Sequence, residues 1–178
     1  MKSRIRSGVI LAFVLFAGSA VAQEARNASR KVEISYSPYG FVRAGGSTHQ
    51  GGCSGVAVST TDSVSLVGEF CGTHQFVSGK QVDSLLSYRG GVRFSKRTGR
   101  RITAFVQGLA GGESGYRKAG IADNSGFSFD AGGGVDVALK NWLGLRIVRA
   151  NYQMTRVGGA TVNGFRFGPA LVFRIGKR

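Results

Sequence analysis

The chain has 178 residues, with 24 Lys and Arg against 9 Asp and Glu, a formal charge of +15, 29 Gly, 2 Pro and 2 Cys. That length suits one domain with a real core, and 42% apolar residues exclude both a disordered tail and a multi-span helical membrane protein. Gly makes up about 16% of the chain, roughly twice average usage and without a G-X-Y period, so collagen is excluded and strands and turns are favoured over helices. A basic excess of this size points to nucleic acid or to an anionic membrane surface.

The first residues choose between those partners. Lys2, Arg4 and Arg6 precede an apolar run over Gly8–Phe16, and small residues then end in Ala20-Val21-Ala22. A basic start, a short apolar run and an A-x-A-like site are the three parts of a secretory leader. Cleavage between Ala22 and Gln23 is expected, dividing the chain into a leader over 1–22 and one domain over 23–178. The mature chain keeps 21 basic and 9 acidic residues, +12. Export into or through the periplasm argues against nucleic acid as a partner. No later apolar stretch reaches the roughly 20 residues of a membrane helix. The remainder is either a soluble exported domain or a closed barrel in an outer membrane.

From residue 31 the hydropathy alternates with period two, broken by Gly, Ser, Asn and basic clusters. Eight strands are expected, at 31–43, 53–60, 64–72, 84–94, 101–110, 126–138, 142–153 and 163–175. The connections alternate in length: long at 44–52, 73–83, 111–125 and 154–162, short at 61–63, 95–100 and 139–141. Long loops at one end and tight turns at the other suit a membrane barrel. The expected class is all-β, an eight-stranded antiparallel up-and-down transmembrane β-barrel.

The alternation separates two faces. In the last strand Phe165, Phe167, Leu171, Phe173 and Ile175 oppose Gly164, Arg166, Ala170 and Arg174. In the sixth, Phe127, Phe129 and Val135 oppose Ser128, Asp130 and Asp136. In the fourth, Leu86, Tyr88, Val92 and Phe94 oppose Ser87, Arg89 and Arg93. The charged face belongs in the lumen, because Arg or Lys facing lipid near the midplane costs about 2–4 kcal/mol. The seventh strand breaks the rule: Leu143, Leu145 and Ile147 share parity with Arg149 and Asn151. Either a bulge after Ile147 restores the phase or Arg149 reaches to the rim.

Phe129-Asp-Ala-Gly-Gly-Gly-Val-Asp136, Leu143-Gly-Leu-Arg-Ile-Val148, Asn151-Tyr152, Asn163 to Arg178 and Ser84 to Phe94 together resemble the small outer-membrane β-barrel (porin-like) domain family. That family is similar to the transmembrane domain of outer membrane protein A. The resemblance spans most of 84–178 and implies an eight-stranded barrel in the cell outer membrane, without catalytic residues. It also implies outer-membrane lipids and the barrel-assembly machinery as partners. The terminal strand departs from the common pattern, because Phe173 is followed by Arg-Ile-Gly-Lys-Arg rather than closing the chain.

Cys53 and Cys71 oppose each other if the second and third strands form a hairpin around Asp62, as do Val58 with Leu66 and Ser59 with Ser65. Opposed residues in an antiparallel pair come close enough for a disulfide, and export permits one. The pair is expected on the lumen face near the outer end of the hairpin. Two free thiols, or a zinc cluster with His49 and His74 in the first two long loops, are the alternatives, and the spacing fits no familiar ligand pattern. No metal and no cofactor is expected.

The lumen should hold Arg89, Arg93, Arg146, Arg166 and Arg174 with Glu33, Glu69, Asp130 and Asp136. These charges are either an anion filter or an ion-pair plug. The plug is preferred, because an eight-stranded interior is only just filled by side chains and buried charges must pair. Glycines 90, 91 and 132–134 are expected beside large lumen side chains. Ser47, His49, Ser54 and His74 near the outer rim raise a lipid-modifying enzyme, but no orienting acid is adjacent, so no enzyme is expected. Lys96, Arg97, Arg100 and Arg101 crowd one turn with Lys177 and Arg178, and Lys80, Arg117 and Lys118 fall in loops, where phosphate-bearing lipid is the natural contact. The expected role is a structural, loop-displaying membrane scaffold, with a narrow porin as the alternative and a lipid-modifying enzyme third.

Overall fold

A strand needs a hydrogen-bonded partner on each edge, and in lipid an open edge leaves backbone groups unsatisfied. This chain closes its sheet. The computed structural model describes residues 31–44, 46, 48–77, 80–117, 124–157 and 160–176. The expected leader, its Ala22–Gln23 cleavage site, Ser47, Lys118, Lys177 and Arg178 lie outside the described residues.

The strands are β1 (Val32–Arg43), β2 (Thr48–Ser59), β3 (Val64–Val77), β4 (Lys80–Arg97), β5 (Ile102–Arg117), β6 (Asn124–Ala138), β7 (Leu143–Val157), β8 (Ala160–Phe167) and β9 (Ala170–Ile175). Segments β8 and β9 both pair with β7 and both with β1. They are the halves of one barrel strand, interrupted at Gly168-Pro169, where proline has no N–H to donate. The barrel therefore has eight strands, each antiparallel to its neighbours, with β1 joining β2 on one side and β8/β9 on the other.

Every expected strand exists, and most run further than expected. The first long connection shrinks to 44–47, because Thr48–Gly52 belong to β2. β3 runs to Val77 and β4 starts at Lys80, so little remains of the expected 73–83 loop. Likewise Gly111–Arg117 extend β5, and Met154–Val157 and Ala160–Val162 extend β7 and β8. Lys80 and Arg117 accordingly lie on strands, not in loops. The connections at the opposite end, 60–63, 98–101 and 139–142, are short as expected. We call that the turn end and the other the loop end.

The two faces separate as the alternation requires. Arg89, Arg93, Asp130, Asp136, Arg146 and Arg166 are buried, while Tyr88, Phe94, Phe127, Phe129, Phe165, Phe167 and Phe173 are exposed. In β7 the phase is restored by a bulge. Val148 pairs with Val135 and Arg146 with Asp136, which leaves Ile147 as the extra residue. Ile147 and Val148 are both exposed, and Arg146 and Arg149 on either side are both buried. Arg149 thus points into the lumen and does not reach for the rim. One prediction follows from two adjacent outward residues, which strict alternation forbids. Ile147→Arg and Val148→Arg should each destabilise the barrel in lipid by about 2–4 kcal/mol, measured by urea unfolding in vesicles. A large loss for one and a negligible loss for the other would restore strict alternation.

Glycine is required at only some of the expected positions. A Cβ on Gly134 would sit 2.8 Å from the Phe105 ring, and one on Gly132 would sit 2.6 Å from Asn151 Oδ1. A Cβ on Gly91 would meet the Gly108 carbonyl at 2.0 Å. Gly90 differs, since its nearest neighbour would be 3.8 Å away. It lies on the exposed face and crowds no lumen side chain.

Candidate functional site

The lumen is where the chain spends its charge. Alternation on β3, β4, β6, β7 and β8 delivers Glu69, Arg89, Asp130, Arg149 and Arg166 to one level of the barrel. Arg166 occupies the middle of this layer. Its Nη2 lies 2.7 Å from Glu69 Oε1 and donates to Asp130 Oδ2 at 2.7 Å. Its Nη1 lies against the sulfurs of Cys53 and Cys71, at 3.1 and 2.9 Å, and its guanidinium covers the Tyr39 ring at 5.3 Å.

Glu69 is further held by Arg149, which donates to Oε2, and by Arg89 at 3.7 Å. Asp130 also accepts from Asn151 and from Arg89 Nη1 at 3.3 Å. Arg89 is fixed in turn by Ser128 and Ser87, at 2.8 and 2.7 Å. These groups are almost fully shielded from solvent, and no space for a water molecule remains beside Tyr39, Arg149 and Arg166. A buried charge without a partner costs several kcal/mol, whereas here each carboxylate faces two or three guanidinium or amide donors.

Smaller clusters flank this layer. Towards the loop end, Glu113 accepts from Gln153 and Thr155 and pairs with Arg43 at 3.4 Å. Towards the turn end, Arg146 grips Asp136 with two bonds of 2.7 and 3.0 Å. Glu33 is shared between Arg93 at 3.2 Å and Arg174 at 2.9 Å. Phe105 lies beneath both Arg146 and Arg93, at 4.3 and 4.8 Å from its ring centre. All nine expected lumen charges are therefore in the interior, and the structure adds Arg43, Glu113 and Arg149.

Cys53 and Cys71 form a disulfide, and they are directly opposed in the β2–β3 register, as are Val58 with Leu66 and Ser59 with Ser65. The expected height needs correction. With β2 beginning at Thr48 and β3 running to Val77, the bridge sits in the middle of the lumen, not near the outer end. The histidines also differ from expectation, since both lie on strands. His49 is buried in the lumen near Phe41, and His74 is exposed on the outward face, where Nδ1 lies 3.1 Å from Ser84 Oγ. Sulfurs bonded to each other and histidines on opposite faces do not converge on a zinc ion. Ser54 faces outward opposite Phe70, so it cannot join His49 in a hydrolytic site.

No protein-family model and no curated protein sequence matches the chain. Solved structures do. Neisserial surface protein A aligns over 82% of this chain and 97% of its own, with a TM-score of 0.63 and 10% identity. The fold is that of the small outer-membrane β-barrels. Two further structures align at lower scores. The Yersinia pestis attachment invasion locus protein Ail gives 0.49 at 12% identity, over 82% of this chain and 99% of its own. The N-terminal β-barrel domain of Pseudomonas aeruginosa OprF gives 0.49 at 16%, over 80% of this chain and 97% of its own.

Proposed function

We propose that the chain is exported and resides in the cell outer membrane as a non-enzymatic, non-conducting barrel, a scaffold that presents its loop-end rim outside the cell. The observation that carries this reading is the buried, interlocked layer of Arg166, Glu69, Asp130, Arg89 and Arg149, which crosses the lumen and leaves no space for a water molecule beside Tyr39, Arg149 and Arg166. An ion crossing that layer would have to break several charge-assisted bonds at once. Outside, the aromatic and aliphatic rows form a belt suited to hydrocarbon, and outer-membrane lipids are the partner they select. The terminal segment β9, with Phe173 and Ile175 outward, is offered to the barrel-assembly machinery. Among the described residues the loop end is built largely of extended strand, and these strand ends form the surface it displays.

Two measurements test the proposal. The mature chain should fractionate with outer membranes, resist extraction by salt or alkali, and run on gels at a different position when boiled. Recovery as a soluble periplasmic monomer would overturn it. Refolded protein in a planar bilayer should show no stepwise conductance. Stable steps altered by substitutions at Arg89 and Arg166 would establish a narrow porin instead.

A further inference from the structure

Below the plug, at the turn end, the lumen opens into a vestibule of about 240 Å³. Its wall carries five cations, Lys31, Arg93, Arg97, Arg101 and Arg174. Three carboxylates share that wall, Glu33, Asp62 and Asp136. Two of the three are already committed. Asp136 is gripped by Arg146 through both oxygens, and Glu33 serves both Arg93 and Arg174. Lys31, Arg97 and Arg101 make no ion pair among the described residues, and Asp62 stands exposed in its turn without one. The vestibule thus holds a surplus of positive charge around an open cup with low-dielectric walls, a shape that concentrates field on an anion.

We propose that this vestibule is a binding site for a phosphate group, with Arg97 and Arg101 as its principal ligands and Lys31 as a third cation at the mouth. The guanidinium fork suits the tetrahedral oxygens of phosphate, which it meets with two parallel bonds, and Lys31 adds a mobile point charge. The floor is fixed, because Arg93 is held by Gln107 and Glu33 and lies against Phe105. A bound phosphate therefore meets rigid cations below and adjustable ones above. The group can come from a soluble phosphate ester or from a lipid headgroup reaching under the rim.

The test uses the full refolded chain in neutral detergent and follows the phosphorus resonance of two probes, glycerol phosphate in solution and dodecyl phosphate doped into the micelles. At least one probe should bind saturably, weaken as salt is raised, and bind at least tenfold more weakly to the Arg97→Gln/Arg101→Gln double variant. Both arginines are exposed, so the variant should keep the wild-type unfolding midpoint. Lys140→Gln, on the outward rim where Lys140 lies over Trp142, should bind as wild type does. Loss of glycerol phosphate binding in the double variant identifies a soluble source, and loss confined to dodecyl phosphate identifies a lipid one. Binding that survives in the double variant, or no saturable binding of either probe, overturns the site.

Discussion

Replacing Arg166 with Met will destabilise the barrel by roughly 3–5 kcal/mol, read as a shift in urea unfolding in lipid vesicles. The size follows from what remains. In the native layer two carboxylates, Glu69 and Asp130, face Arg89, Arg149 and Arg166. Removing Arg166 leaves two buried carboxylates short of a partner: Asp130 keeps only Arg89 and Asn151, and Glu69 keeps Arg149 and the more distant Arg89. It also withdraws the single nitrogen that approaches Glu69 and Asp130 at 2.7 Å each. Bulk salt will not compensate, because screening is weak for buried charge. Lys96→Ala in the exposed turn should change stability by no more than about 0.5 kcal/mol. Adding Asp130→Asn to Arg166→Met should recover part of the loss, since the second change removes a buried carboxylate that the first leaves short of a partner. Small and equal effects from Arg166→Met and Lys96→Ala would mean a wet, wide lumen, and with it a conducting path.

The residues that build this layer show which parts of the fold the sequence makes legible. Within the bilayer, lipid demands an apolar outward face and the lumen demands polar or small groups, so Phe165 and Phe167 against Arg166 declare both strand and face. Towards the loop end the side-chain pattern fades. Thr48-His-Gln-Gly-Gly52 and Gly111-Gly-Glu-Ser-Gly115 carry no apolar alternation, yet their backbones continue the ladder. They read as loops because their own outward residues are polar or glycine, and the outward surface at Gly52 and Gly112 is covered by Tyr36 and Tyr88 of neighbouring strands. Glu113 carries no sequence signal for that reason, and His49 and His74 read as loop residues for the same one. Arg149 was hidden differently. A bulge leaves no mark on composition, and its one sign is the adjacent pair Ile147-Val148, two apolar residues where alternation allows one. The β2–β3 register was legible because the tight turn at 60–63 fixes which residues oppose, and the two cysteines fall on the same rung.

That rung gives the second large effect. Protein exported by an oxidation-competent cell should show no free thiol on unfolding without reductant, and a non-reducing peptide map should join the segments holding Cys53 and Cys71. Sitting in the middle of the lumen and almost fully buried, the bridge should also survive reductant for as long as the barrel stays folded, and become reducible on unfolding. Cross-linking across 18 residues constrains the unfolded chain by about 3 kcal/mol. The Cys53→Ala/Cys71→Ala variant should lose no more than about that amount, because the strand ladder already restrains the same hairpin. Part of any loss arises from packing, since the sulfurs fill the space between Arg166 and the barrel wall, and two methyl groups would leave that guanidinium with less to lie against. A slip of one residue in the β2–β3 pairing would turn the two side chains to opposite faces and forbid the bond. Full labelling of both thiols in the exported protein would therefore contradict the register, and with it the place of Glu69 beside Arg166.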